Sequence, residues 1–303
     1  MPADRVVAVV GPTASGKSDL AVTLARRLGD AEVVNADSMQ LYRGMDIGTA
    51  KASPDERGGV PHHLLDVLDV TEPGSVAEFQ RMAREVVGDC LSRAVTPIVV
   101  GGSALYVRAV IDPLDFPGTD ADVRARWAAE LEAVGPEALH AVLAERDPEA
   151  AEQILPSNGR RIVRALEVGE LTGEPFVATM PSHESVYPGL VMIGLDVPRE
   201  VLDERLDSRV NRMWDEGFVD EVRGLVEQGL EDGPTASRAL GYQQILAHLR
   251  GEMFEDEARA ATISGTRKFA RRQDRLSRKD PRIRWLRFDS PTLVDDAMDV
   301  VTS

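Results

Sequence analysis

The chain has 303 residues, 43% hydrophobic and 28% charged, with 51 acidic against 35 basic side chains and a net charge of −16. That length admits one large domain or a core with a smaller insert, and the acidic balance argues against a general nucleic-acid coat. No apolar run nears the roughly 20 residues of a membrane span, no basic-apolar-small signal pattern opens the chain, and the single Cys90 excludes internal disulfides and cysteine-rich zinc modules; the expected compartment is the cytoplasm.

The first predicted strand, Arg5–Val10, runs straight into Gly11-Pro12-Thr13-Ala14-Ser15-Gly16-Lys17-Ser18 and then into an amphipathic helix of about Lys17–Leu28. A G-x-x-x-x-G-K-S run between strand and helix is a phosphate-binding loop. Its glycines let backbone N–H groups point inward, the helix adds its positive end, Lys17 reaches the terminal phosphates and the Ser18 hydroxyl suits Mg²⁺. The chain is therefore expected to bind a diphosphate or triphosphate.

A second strand, Ala31–Asn35, delivers Asp37 and Ser38 to the crevice beyond the carboxyl ends of parallel strands, where α/β sheets bind ligands. Asp37 could hold Mg²⁺, act as a base toward an incoming nucleophile, or simply cap a short helix. Ser75-Val76-Ala77-Glu78 reads as a capping box, and Val76, Phe79, Met82, Ala83, Val86, Val87, Cys90 and Leu91 recur at helical spacing. The next core strand, Pro97–Val100, runs into Gly101-Gly102-Ser103 without the carboxylate that NTP-hydrolysing enzymes usually place there. This βαβ series predicts a parallel sheet covered by helices.

From about Asp115 to His183 the pattern is all helical, with stretches near Ala121–Val134, Glu137–Ala144, Glu149–Leu155 and Gly159–Leu171, flanked by Pro113/Pro117 and Pro181/Pro188. The sheet resumes at Leu190–Leu195. A long helix over Arg199–Gln228, broken at Gly217, then helices near Ser237–Arg250 and Asp256–Arg278, precede a last strand, Arg284–Phe288. The expected organisation is an α/β core over 1–114 and 186–303, with a helical insertion over 115–185.

Charge is distributed unevenly. Ten basic residues stand against Asp274 and Asp280 between Arg267 and Arg287, a local charge of +8, and Arg160, Arg161 and Arg164 form a second cluster. Two Arg-rich patches on an acidic protein predict a localised phosphate-backbone footprint, with bidentate contacts that Lys cannot make. His62, His63 and Asp66 lack further ligands at metal spacing, which favours a structural role.

In order along nearly the whole chain, these residues resemble the bacterial tRNA dimethylallyltransferases. The resemblance is carried by the loop with its Pro-Thr-Ala-Ser interior, Asp37–Tyr42, Gly44–Lys51, Pro61–Asp66, Gly101–Tyr106, Arg161–Glu167, Gly217-Phe218 through Arg223, and Leu240–Gln243. It implies a P-loop NTPase-like α/β fold and transfer of a dimethylallyl group from its diphosphate to N6 of the adenosine 3′ of the anticodon. The partners would be the tRNA anticodon stem-loop and dimethylallyl diphosphate, with Mg²⁺ as cofactor held by Ser18 and Asp37, in a monomer. Asp37 would take the proton of the attacking amine. Lys17, Thr13 and Arg223 would stabilise the diphosphate. The residues implied to face RNA are Asp37, Ser38, Met39, Gln40, Ser103, Arg124, Arg160, Arg161, Arg164, Arg238, Gly241, Tyr242, Gln243, Arg271, Arg272, Gln273, Arg275 and Arg278. One departure is Leu276, where the family usually has an aromatic residue. Three other readings remain open: a small-molecule kinase using ATP, a non-catalytic RNA-binding protein, and prenyl transfer to free AMP or ADP.

Overall fold

The structure, a computed structural model, describes residues 5–176 and 183–303. It divides into two units, Met1–Pro113 with Ser185–Ser303, and Leu114–Glu184, one residue from the expected boundaries at each end; Pro181 lies outside the described residues.

In the first unit, strands β1 (Arg5–Val10), β2 (Ala31–Asn35), β3 (His62–His63), β4 (Thr96–Gly101), β5 (Gly189–Asp196) and β6 (Ile283–Arg287) form one parallel sheet in the order β3-β2-β4-β1-β5-β6. Every residue of β1 is buried, as an unbroken apolar run predicts for a strand covered on both faces. Helix α1 (Lys17–Leu28) buries Leu20, Ala21, Leu24 and Ala25 on the sheet core. Since β2 lies on one side of β1 and β5 on the other, the turn after β1 sits where the strand order reverses, the usual ligand crevice of such sheets. The two-residue β3 is too short to show any period and was not expected. Helices α2 (Pro54–Arg57), α3 (Val76–Ser92) and α4 (Ala104–Ile111) complete the first segment. At α3 only half of the expected capping box forms: Ser75 accepts from the Glu78 amide, whereas the Glu78 carboxylate turns to Arg81 at 2.5 Å.

The Leu114–Glu184 unit packs α5 (Ala121–Val134), α6 (Pro136–Arg146), α7 (Pro148–Gln153) and α8 (Gly159–Thr172) around Trp127, Leu139, Leu143, Ile154, Ile162 and Leu166. Glu167 on α8 is fully buried, yet accepts from the Thr119 hydroxyl at 2.6 Å and from Arg124 at 2.9 Å, and pairs with Arg164 at 2.9 Å. Burial alone would raise its pKa, but these donors bring it below the ordinary glutamate value.

Back in the first unit, α9 (Arg199–Asp215) and α10 (Phe218–Glu227) are separated at Gly217, whose φ of 96° ends one helix and starts the next. The helix expected over Ser237–Arg250 is instead a 3₁₀ turn at Ala236–Arg238 followed by α11 (Tyr242–Leu249), because Gly241 adopts φ 90° between them. Then come α12 (Glu255–Ser277), β6 and α13 (Leu293–Thr302). A second core forms about Tyr42, Phe218 and Tyr242, with Phe218 edge-on to Trp214 and Tyr242 at ring separations of 5.3 and 4.9 Å.

Because Glu167 is a buried charge whose cationic partners are partly exposed, Glu167→Ala is expected to destabilise the helical unit by about 2–3 kcal/mol, below the range for breaking a fully buried pair. Hydrogen exchange would show it: amides of α5 and α8 should exchange faster while those of β1 and β4 keep their protection.

Candidate active site

The loop after β1 follows from its residues. Gly11 at φ 143°, Ala14 at φ 66° and Gly16 at φ 95° curl the backbone, and Gly16 opens α1 with no capping side chain, leaving the helix's first amides free for an anion. Lys17 folds back over the loop, its Nζ donating to Pro12 O at 3.2 Å. Burial, then repulsion from Arg209, lower its pKa to about 8, against a smaller attraction from Asp37. Ser18, on the first turn of α1, is exposed, and its hydroxyl has no hydrogen bond among the described residues.

Two distant helices hold Thr13. Its amide donates to Gln273 Oε1 on α12 at 2.9 Å, and its hydroxyl accepts from Arg209 of α9 at 3.2 Å. A side chain at Gly102 would come within 2.5 Å of Gln273 Nε2, so the glycine after β4 lets the carboxamide reach the loop.

Asp37 is aimed by Asn35, whose carboxamide oxygen accepts from the Asp37 amide at 2.9 Å while its NH₂ donates to Asp37 O and Leu64 O at 3.0 and 2.9 Å. Asp37 Oδ1 accepts from the Met39 amide at 2.9 Å, leaving Oδ2 without a partner among the described residues. Beside it lies the Tyr106 hydroxyl, whose pKa is pushed up to about 12, chiefly by burial; Tyr106 also lies on Phe79 at a ring separation of 4.7 Å. Ser103 caps α4 with its backbone alone, so its hydroxyl is free beside the Gly101-Gly102 turn. Loop, Lys17, Asp37 and Ser103 thus gather at the carboxyl ends of β1, β2 and β4.

Several residues expected to face RNA do other work. Gln273 is 4% exposed and tethers Thr13. Tyr242 is fully buried and donates to Glu221 at 2.6 Å. Gly241 is a backbone requirement, since a Cβ there would meet the Phe218 ring at 2.8 Å. Met39 packs on the second core, and Gln40 donates to Thr49 O at 3.1 Å. Arg124 and Arg164 are committed to Glu167. In the basic segment, Arg267 pairs with Asp207, Arg271 with Asp203, and Arg278 with Asp196 and Asp274. A count of sequence charge misses this, because the acids that neutralise the segment come from α9 and β5.

Arg160, Arg161, Arg238, Gln243, Arg272 and Arg275 are exposed, and among the described residues none of these arginines has an ion-pair partner. Arg272 lies over the Phe269 ring at 5.5 Å. Arg223, expected at the diphosphate, is exposed and donates to Asp220 at 2.6 Å; α10 turns Phe218, Val222 and Leu225 inward, so Arg223 would have to release Asp220 to reach a ligand.

The motifs around Tyr42 form scaffolding. Glu221 accepts from the amides of Asp46, Ile47 and Gly48 at 3.0, 2.6 and 3.1 Å, and buried Lys51 reaches Tyr42 O, Asp46 and Asp66 at 2.8, 2.7 and 2.5 Å. His62 bonds Val60 O at 2.8 Å, and His63 bonds Glu32 at 2.7 Å. Glu32, His63 and Cys90 stand close enough to share a cation. However, the bidentate Arg93 guanidinium occupies Glu32 and holds its pKa near 2, and burial pushes the Cys90 thiol up to about 12. A neutralised carboxylate and a protonated thiol make a packing cluster rather than a metal centre.

A profile of IPP transferases matches residues 40–280. The chain belongs to the IPP transferase family. Among members of the family, the tRNA dimethylallyltransferase of Streptomyces coelicolor is 66% identical over 94% of this chain and 91% of its own length. That of Thermobifida fusca is 62% identical over 98% and 94%. The tRNA isopentenylpyrophosphate transferase of Bacillus halodurans, a solved structure, superposes with a TM-score of 0.74 at 39% identity, covering 99% of this chain and 96% of that one. A eukaryotic dimethylallyltransferase acting on tRNA gives 0.80 at 26% identity, covering 96% and 76%. The shared P-loop NTPase-like fold matches the parallel sheet and loop described above.

Asn35 and Arg209 are the site residues that sequence reading missed. Asn35 had a usable signal, a polar residue ending a buried strand two positions before Asp37. Arg209 had none, since nothing in a helical repeat says that one arginine meets a loop 196 residues earlier.

Proposed function

We propose that this IPP transferase-family protein transfers a dimethylallyl group from dimethylallyl diphosphate to N6 of the adenosine 3′ of the tRNA anticodon, releasing diphosphate. The observation that carries the reading is Asp37, aimed by Asn35 and electrostatically coupled to Lys17 of the phosphate loop, in a chain 66% identical to a tRNA dimethylallyltransferase. In the reaction the N6 nitrogen attacks C1 of the donor, the C1–O bond breaks, and its electron pair leaves on the diphosphate. Asp37 Oδ2 takes the N6 proton, as a positioned base does. Loop amides and the Lys17 ammonium face charge that grows on the departing diphosphate, so they favour the transition state over the ground state. The acceptor base must leave the RNA stack to reach this crevice.

Ser18 Oγ, at the start of α1, suits Mg²⁺, which prefers oxygen ligands and keeps several waters, and this leaves Asp37 Oδ2 to serve as the base. When bound, it would neutralise diphosphate charge. Arg160, Arg161, Arg238, Arg272 and Arg275 supply the phosphate-backbone contacts. Among the described residues no helix is long and apolar enough to cross a membrane. We place the protein in the cytoplasm, as a monomer, with its tRNA.

Mass spectrometry of nucleosides from unmodified bulk tRNA, incubated with the protein, Mg²⁺ and the donor, tests the reaction. N6-dimethylallyladenosine should form, and Asp37→Ala should lower turnover by roughly 10²–10⁴-fold with donor affinity nearly kept. Prenylated AMP with unmodified tRNA would contradict the assignment.

tRNA affinity across a salt series tests the footprint. Arg272→Ala with Arg275→Ala should flatten the slope by about 1.4–1.8, two phosphate contacts' worth. Arg267→Ala, whose guanidinium is held by Asp207, should leave the slope unchanged.

A further inference from the structure

Lys51 is a buried cation that the reaction as read above does not use. Its side chain is 2% exposed, and its three N–H donors reach Tyr42 O at 2.8 Å, Asp46 Oδ1 at 2.7 Å and Asp66 Oδ1 at 2.5 Å. An ammonium inside a protein is costly and persists where its donors are paired. The two carboxylates that meet it are 59% and 42% exposed, so water would serve either of them in its place. The arrangement therefore asks for a purpose beyond neutralising those acids.

The ion pair with Asp66 lands on a strained stretch of backbone. Leu64 at φ 60° and Asp66 at φ 57° both adopt the left-handed region, which side chains rarely enter unless tertiary contacts hold them there. Those contacts lead to Asp37. Leu64 O accepts from Asn35 Nδ2 at 2.9 Å, and the same NH₂ group donates to Asp37 O at 3.0 Å. Asp66 N donates to Gln40 O at 3.3 Å, and the Val67 and Leu68 amides both reach Leu41 O, at 2.8 and 2.9 Å. The segment from Asp37 to Leu41 is thus held at both ends by the turn that carries Leu64 and Asp66. Lys51 fastens that turn to Tyr42, the residue that follows the segment.

We propose that Lys51 and Asp66 are positioning residues for Asp37. Their ion pair locks the left-handed turn after β3, and the turn holds the Asp37–Leu41 segment so that the carboxylate meets the acceptor's amine in one orientation. A base slightly out of line loses rate without loss of donor affinity. This rests on reading Asp37 as the group that takes the N6 proton.

The competing role is general support of the fold. Single-turnover rates on tRNA at saturating donor, read beside thermal melting and calorimetric titration with inorganic diphosphate, separate the two. Asp66→Asn suits the left-handed backbone but loses the charge. It should slow the turnover by roughly tenfold or more, with melting and diphosphate affinity kept at wild-type values. Lys51→Met should slow turnover at least as much and also lower the melting temperature, because the buried Tyr42 O loses its donor. Asp69→Asn, which removes an exposed pair with Arg43 from the same loop, should leave the rate unchanged. The decisive readout is the Asp37→Ala background, where no base remains to be aimed. There Asp66→Asn should cost less than about twofold, since residues that act through one group are not additive. A wild-type rate in Asp66→Asn, an equal loss in Asp69→Asn, or an equal loss with and without Asp37 would overturn the proposal. An Asp37→Ala protein that keeps full turnover would overturn the base assignment beneath it.

Discussion

The hydrogen bond from the Thr13 amide to Gln273 ties the ends of the chain together, 260 residues apart. A phosphate loop works by presenting backbone amides in one fixed curl, and a curl containing Ala14 at φ 66° is not the relaxed state of that sequence. Tertiary contact has to select it. Gln273 does so from α12, in the space that Gly102 leaves open after β4, while Arg209 holds the Thr13 hydroxyl from α9. The parallel sheet delivers the loop, Asp37 and Ser103 to one edge, and the C-terminal helices set the loop's shape. The half of the core that follows the insertion therefore helps to shape the phosphate loop.

Electrostatics follows the same logic. Most arginines of this acidic chain are paired within the protein: Arg267, Arg271 and Arg278 with acids of α9, β5 and α12, and Arg124 and Arg164 with Glu167. Arg160, Arg161, Arg238, Arg272 and Arg275 are among those left exposed without an ion pair, and they are spread over separate elements. Pairing so many of the others lets a protein of net charge −16 present small positive patches without a field that would hold any polyanion.

Local features of the fold could be read from the sequence. The loop motif, the buried β1 and the helical spacing of α3 depend on neighbours within a dozen residues, and each was legible. The helix expected over Ser237–Arg250 is interrupted because Gly241 turns at φ 90°, at a place where a Cβ would meet the Phe218 ring, a contact that no local pattern announces. Residues that the resemblance placed at the RNA separate for a similar reason. A shared motif marks a position as needed without saying whether the need is a substrate or a scaffold. Tyr242 and Gly241 serve the Phe218 cluster, Gln273 serves the loop, and Arg124 serves Glu167. Asp37 and Lys17 are proposed as chemistry because their types and positions beside a phosphate loop leave few structural uses.

The most direct test of this account is Gln273→Ala, assayed for affinity toward inorganic diphosphate and toward tRNA in parallel. Leaving the Thr13 amide unsatisfied costs on the order of 1–3 kcal/mol, the penalty for orphaning a buried donor. The account predicts diphosphate binding weaker by roughly tenfold, from about 1.4 kcal/mol, with tRNA affinity and its salt dependence unchanged. Undiminished diphosphate binding with weakened tRNA binding would contradict it, and would return Gln273 to the RNA-facing surface.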